Sequence, residues 1–199
     1  MNKKQPNEIQ EMKLSAPARP VGAMLDLETL AVPEELPPGS LVEVTEIGLV
    51  LYDLATYETR LTLRAFLSPN GQASHGTLHW WFQRFANGHI PDWYRARDQK
   101  QTLSMDSCLE NISKILQASA PHECWSRGAF DWQILQSHFA ANRMHAPWRF
   151  YQLRELRTLH LEVDPKHKPP PAPHNALEDA LEQVRLLARL KNQIKGISA

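Results

Sequence analysis

"VGAMLDLETLAV", residues 21–32, is an apolar run interrupted by two acids, Asp26 and Glu28. It is apolar without clean alternation, as in a strand covered on both faces in the middle of a sheet. Positions i and i+2 of a strand project to one face, so the two carboxylates point the same way. Carboxylates that close repel, and one holds its proton unless a counter-charge intervenes. A divalent cation removes the conflict, and hard oxygen donors suit Mg²⁺ or Mn²⁺. Acids that close a strand end and face water satisfy the same pattern, so the pair alone does not decide.

The flanking segments set a fold class. "LVEVTEIGLVLYDL" (41–54) and "TRLTLRAFLS" (59–68) read as two strands joined at "LATYE" in a hairpin. "TLHWWFQRFANG" (77–88) reads as a short helix stopped by Gly88, and residues 92–100 as an exposed helix or loop. "SMDSCLENISKILQAS" (104–119) spaces Leu109, Ile112, Ile115 and Leu116 at helical intervals behind a Ser104 or Asp106 cap. "HECWS" (122–126) fits a short buried strand, and "FDWQILQSHFAANRM" (130–144) an amphipathic helix. "WRFYQLRELRTLHLEV" (148–163) fits a strand leading into a short helix, or one helix. "NALEDALEQVRLLARLKNQIK" (175–195) is a helix with Leu177, Leu181, Val184, Leu187 and Leu190 on its buried side. Strands first, then helices alternating with strands, predict an α/β protein with a mixed central β-sheet flanked by helices.

Residues 1–20 are polar and read as a flexible arm, leaving 21–195 as the folded domain. The Pro-rich run at 169–173 is too short for an interdomain linker and shapes a loop instead. Lys+Arg and Asp+Glu number 22 each in the 199 residues, so binding of nucleic acid by bulk positive charge is not indicated, although a local basic patch is compatible. No run has the length of a transmembrane helix, and the first residues lack the apolar core of a signal peptide. Cys108 and Cys124 form no metal-binding spacing, which fits two free thiols in a reducing, cytoplasmic setting.

Two further sites carry chemistry-bearing residues. Asp131, after Gly128, falls at the start of a helix, where an acid commonly complements the helix dipole. In "PHNALEDALEQ", Asn175 and Glu178 fit a capping box, which places His174 just before the helix and Asp179 on its second turn. With His174 in the loop, it and Asp179 can face one pocket.

A D-x-E strand, an Asp opening a later helix and H-N-A-L-x-D at a C-terminal helix together resemble the DEDDh exonucleases of the ribonuclease H-like fold. "MLDLETL", "TLHWW", "GAFDWQIL", "LRTL" and "HNALEDA" narrow the resemblance to exodeoxyribonuclease VIII-like proteins and the 3'–5' exoribonuclease RNase AS, over residues 21–191. The chain departs from that group in the Pro-rich segments "VPEELPPGS" and "KHKPPPAP", which border the expected active-site mouth. The resemblance implies that Asp26, Glu28, Asp131 and Asp179 bind two Mg²⁺ or Mn²⁺ ions and that His174 is the general base. An ordinary histidine pKa of about 6.5 would then place the acid loss of activity near that pH. It also implies contacts to the terminal nucleotide from Thr29 and Leu30. Trp80, Trp81 and Phe85, with Arg84 nearby, can stack bases or pack as core; Trp132 has the same two readings. Arg157 either approaches substrate phosphate or pairs with an acid. "WYRAR" (93–97) is the strongest local basic-aromatic patch, and a solvated helix face is the better account of it. The implied partner is a single-stranded 3' end of RNA or DNA, without a membrane, and related enzymes are often homodimers. The rival readings are a duplex-DNA exodeoxyribonuclease of opposite polarity, a nucleic-acid-binding module without turnover, and a hydrolase of dinucleotides or nucleotide ends.

Overall fold

A computed structural model describes residues 19–166 and 174–197. The expected arm, apart from its last two residues, and the Pro-rich run at 169–173 lie outside the described residues. Strands β1 (Val21–Thr29), β2 (Val44–Asp53), β3 (Thr59–Phe66), β4 (Glu123–Ser126) and β5 (Leu153–Glu155) form one sheet in the order β3-β2-β1-β4-β5. β1, β2 and β3 are antiparallel neighbours, whereas β4 pairs parallel with both β1 and β5. The mixed sheet and its hairpin agree with the sequence, and β1 is its central strand.

Parity along β1 and β2 divides the core. Ala23, Leu25, Leu27, Ile47, Leu49 and Leu51 face helices α3 (Met105–Ser119) and α4 (Phe130–Ala141), which contribute Leu109, Ile112, Leu116, Leu135 and Phe139. Met24, Val50, Tyr52 and Trp125 face α5 (Leu156–Val163) and α6 (Ala176–Ile197), packing with Leu156, Val184, Leu187 and Leu190. Each fully buried aliphatic or aromatic side chain contributes about 1.5–3 kcal/mol. Coverage on both faces explains the nearly continuous apolar sequence of β1 and β2. Asp26 and Glu28 share the parity of Met24, so both project toward α6. The helix comes this close because position 48 is glycine: a Cβ there would lie 2.2 Å from the Ala176 backbone.

A smaller cluster of Leu30, Phe66, Trp81, Trp93 and Ala96 underlies α1 (His75–Ala86) and α2 (Asp92–Asp98). The sequence suggested an exposed helix or loop at 92–100, yet α2 buries Trp93 and Ala96. Arg97 donates to Glu43 and to the Leu67 carbonyl, and Arg95 pairs with Asp92. Of the "WYRAR" segment, Trp93, Ala96 and Arg97 are committed to packing or internal pairing, and Tyr94 and Arg95 form its solvated face. The ambiguous stretch at 148–163 resolves into β5 followed by α5. Among the described residues, no helix is long and apolar enough to cross a membrane.

Candidate active site

Three elements bring acids to one cavity. Asp26 and Glu28 occupy the C-terminal half of β1. β4 ends alongside, at Ser126 opposite Leu25, and the Ser126 hydroxyl donates to the Gly128 carbonyl at 2.6 Å to shape the turn into α4. Asp131 is the second residue of α4. α6 supplies Asp179. Asn175 caps this helix as expected, its Oδ1 accepting the Glu178 amide at 3.1 Å, but the reciprocal half of the box differs. It is Asp179, not the exposed Glu178, whose Oδ2 accepts the Asn175 amide at 3.2 Å. His174, in a left-handed backbone conformation (φ 55°), lies one residue before the cap. Its ring meets Trp80 edge-on at 4.8 Å and Trp81 at 6.1 Å between centroids.

Carboxylate oxygens of Asp26, Glu28 and Asp179 all lie within 4.8 Å of one another. These residues, Asp131 and His174 line a single cavity of about 240 Å³, whose walls also include Thr77, Trp80, Arg127 and Arg157. Burial raises the Asp26 pKa well above the ordinary range, and the charges of Asp131, Glu28 and Asp179 raise it further; a 2.6 Å hydrogen bond donated by Gln183 opposes them. Glu28 is raised by burial and then by Glu46, its direct neighbour across the β1–β2 pair. Asp131 is pushed up to about 7 by burial, although the amides of Leu27, Asp131 and Gly128 favour its charged form. Burial also raises Asp179. Converging hard-oxygen donors that resist ionisation beside one another form a set that a hard divalent cation would relieve. His174 moves the opposite way, lowered to about 4 by burial and by the charges of Arg84, His89 and Arg127. Its imidazole is therefore neutral at neutral pH and able to accept a proton.

The residues expected to touch substrate separate into two groups. Trp80 is at the cavity wall, 38% exposed, with the Arg84 guanidinium 4.7 Å from its ring centroid. Arg157 and Thr29 also line the cavity, but the Thr29 hydroxyl donates to the Ala31 carbonyl at 2.8 Å and its carbonyl accepts from the Trp81 indole at 3.2 Å. Two expectations are corrected. Leu30 is buried at 8% exposure in the cluster beneath α1. Trp132 is 2% exposed and packs against Trp148 with centroids 4.8 Å apart, so it is core and offers no face to a base. The sequence reading missed Gln183 and Arg127. Gln183 had one available signal: it lies four residues after Asp179, hence on the same helix face.

A model of the 3'-5' exoribonuclease Rv2179c-like domain matches residues 22–190. The chain belongs to this family. It is accordingly a 3'–5' exonuclease with the ribonuclease H-like fold. Among solved structures, it is similar to the nuclease domain of 3'hExo, a DEDDh family member bound to rAMP: 17% identity, TM-score 0.58, covering 89% of this chain and 94% of that one. Cell-death related nuclease 4 (CRN-4) aligns at 18% identity and TM-score 0.61, over 88% of this chain and 64% of that chain. Escherichia coli Exonuclease I, in complex with a dT13 oligonucleotide, aligns at 12% identity and TM-score 0.64, over 89% of this chain and 42% of that one. At these identities the likeness is one of fold. No curated protein sequence matches.

Proposed function

We propose that this exonuclease shortens RNA from a single-stranded 3' end, that Asp26, Glu28, Asp131 and Asp179 hold two Mg²⁺ or Mn²⁺ ions, and that His174 is the general base. The observation that carries the proposal is the convergence of four carboxylates and one neutral histidine on a single cavity. The choice of RNA rests on the exoribonuclease description of the family. Divalent ions bound by such a set supply Lewis acidity to the phosphoryl group and stabilise charge on the leaving oxygen.

The chain's own residues supply the rest. A ring nitrogen of His174 receives the proton of the attacking water, and the edges of Trp80 and Trp81 hold its imidazole against the cavity. Gln183 fixes the Asp26 carboxylate. The part-exposed Trp80 ring offers a surface to the terminal base. A cytoplasmic setting belongs to the same proposal, supported by the buried free thiols of Cys108 and Cys124.

One digestion panel tests it: RNA, single-stranded DNA and duplex DNA, each labelled at either end, with Mg²⁺, with Mn²⁺ and with EDTA. The expected result is stepwise loss from the 3' end of single-stranded RNA, abolished by EDTA. Preference for duplex DNA or release from the 5' end would establish the exodeoxyribonuclease VIII-type reading instead. Binding without cleavage under every metal condition would leave a binding module.

A further inference from the structure

Arg127 and Arg157 stand apart from most arginines of the fold. Arg60 is paired with Asp53, Arg64 with Glu46 and Asp92, Arg97 with Glu43, and Arg185 with Glu182. Arg127 and Arg157 form no ion pair with a carboxylate among the described residues, although both line a cavity containing four acids. They come from different elements and are joined through the backbone: the Arg157 amide, in the first turn of α5, donates to the Arg127 carbonyl at 3.1 Å, just past the end of β4. The Arg157 guanidinium lies over Gly128, 3.9 Å from where a Cβ on that residue would sit. Arg127 is close enough to favour the charged form of Asp179 and the neutral form of His174, and Arg157 acts likewise on the charge of Asp131. The pair thus occupies the β4–α5 wall of the cavity, and the α1 wall carries Thr77 and Trp80.

We infer that Arg127 and Arg157 form a two-guanidinium wall that binds phosphodiester groups at the end of the strand, with its bases turned toward Trp80. The inference rests on the nuclease reading above and adds how the strand is held. The chain has no net positive charge to attract a polyanion, so affinity depends on local cations facing the cavity. Guanidinium matches phosphate oxygens in a bidentate fork, which an ammonium does not reproduce. Such a wall reads the backbone and not the base, so it predicts little sequence preference from these contacts.

The test uses Arg127→Gln, Arg157→Gln, the double variant and Arg157→Lys in the full chain, with circular dichroism as a check of fold. Single-stranded RNA binding is measured by fluorescence anisotropy across a salt series, in an Asp26→Asn background that removes turnover. The kcat and KM of the otherwise wild-type chain are measured in parallel, and Mn²⁺ affinity by calorimetry. Each Gln substitution is expected to weaken binding about tenfold and to reduce the slope of log K against log salt by about 0.7, the value for one phosphate contact to a single strand. KM should rise more than kcat falls, and Arg157→Lys should keep the salt slope while losing part of the affinity. Unchanged affinity and salt slope in both Gln variants, with tighter Mn²⁺ binding, would assign the arginines to balancing the acids and overturn the inference. RNA bound by the wild type with the expected slopes but never cut would sink the nuclease reading alone. Normal cutting by variants with unaltered KM and slope would sink the phosphate wall alone.

Discussion

Gln183 donates a 2.6 Å hydrogen bond to Asp26 across 157 positions of sequence. It joins the last helix to the central strand at a carboxylate that three other acids oppose. Gln183 is 5% exposed, so this bond is made in a poorly hydrated setting where losing a partner is costly. Gln183→Leu frees Asp26 to rotate away from the other ligands. The expected outcome is a loss of about 10–100-fold in metal affinity or kcat, as for other groups that orient ligands. Mn²⁺ titration with a nuclease readout checks it; affinity and rate within twofold of wild type would mean that Asp26 is oriented by something else.

Asp26→Asn removes the carboxylate that burial and three neighbouring acids oppose. Hydrolysis should be lost, while the metal-free protein gains stability, with a Tm increase of about 2–4 °C for each kcal/mol of relieved repulsion in a domain of this size. Thermal unfolding in EDTA measures the gain. A lower Tm would show that Asp26 stabilises the fold as well as the site.

The pH dependence divides by residue. Asp131 titrates near 7 in the folded state and near 3.9 unfolded, so the folded state holds its proton more tightly. Its contribution to stability is present below about 4 and is lost as pH rises through 7. Asp26, Glu28 and Asp179 shift in the same direction. His174, lowered to about 4, contributes in the opposite sense: its share is present above about 6.5 and lost as pH falls toward 4. With four acids against one histidine, the Tm of the metal-free protein is expected to fall between pH 5 and 8. Mg²⁺ should restore most at the alkaline end and release protons on binding. Scanning calorimetry with and without EDTA decides this.

His174→Ala should lower kcat by about 10²–10⁴ and leave Mn²⁺ affinity unchanged. The lowered pKa also alters the expectation drawn from an ordinary histidine. In the wild type at saturating Mn²⁺, the rate should hold down to pH 5.5, since protonation of His174 sets in only near 4. At limiting Mn²⁺ the rate should fall from neutrality as protons compete for the acids. A midpoint that stays near 6.5 whatever the metal concentration would remove this assignment.

Gly48→Ala tests how closely α6 must approach β2. The added methyl would meet the Ala176 carbonyl group at 2.2 Å, which is backbone and not a flexible side chain. Overpacking of this kind costs about 1–3 kcal/mol and displaces the first turn of α6, with Asp179 and the entry of His174. Tm and Mn²⁺ affinity should fall together; a loss of Tm with metal affinity intact would separate the fold contact from the site.

Much of this site was legible because parity and capping are local rules. Strand parity put Asp26 and Glu28 on one face, and the Asn175 cap located Asp179. Sequence adjacency failed as a guide to contact. Neighbouring helix residues diverge by about 100°, so Asp131 turns to the cavity and Trp132 to Trp148 in the core. Leu30 follows the strand end into a separate cluster. Arg127 acquires its place from packing between distant elements, and helical spacing puts Gln183 on the face of Asp179 without naming Asp26, 157 positions away, as its partner. The buried side of α2 was not legible for the same reason, because Glu43, the partner of Arg97, lies 54 positions away.

The docking of α6 over Gly48 has a consequence for biosynthesis. A nascent chain that has emerged only as far as α5 carries Asp26, Glu28 and Asp131 but lacks the fourth carboxylate, the proposed base and the helix that covers Met24 and Val50. On the proposed mechanism, α6 therefore completes the set of acids and closes the second core layer together.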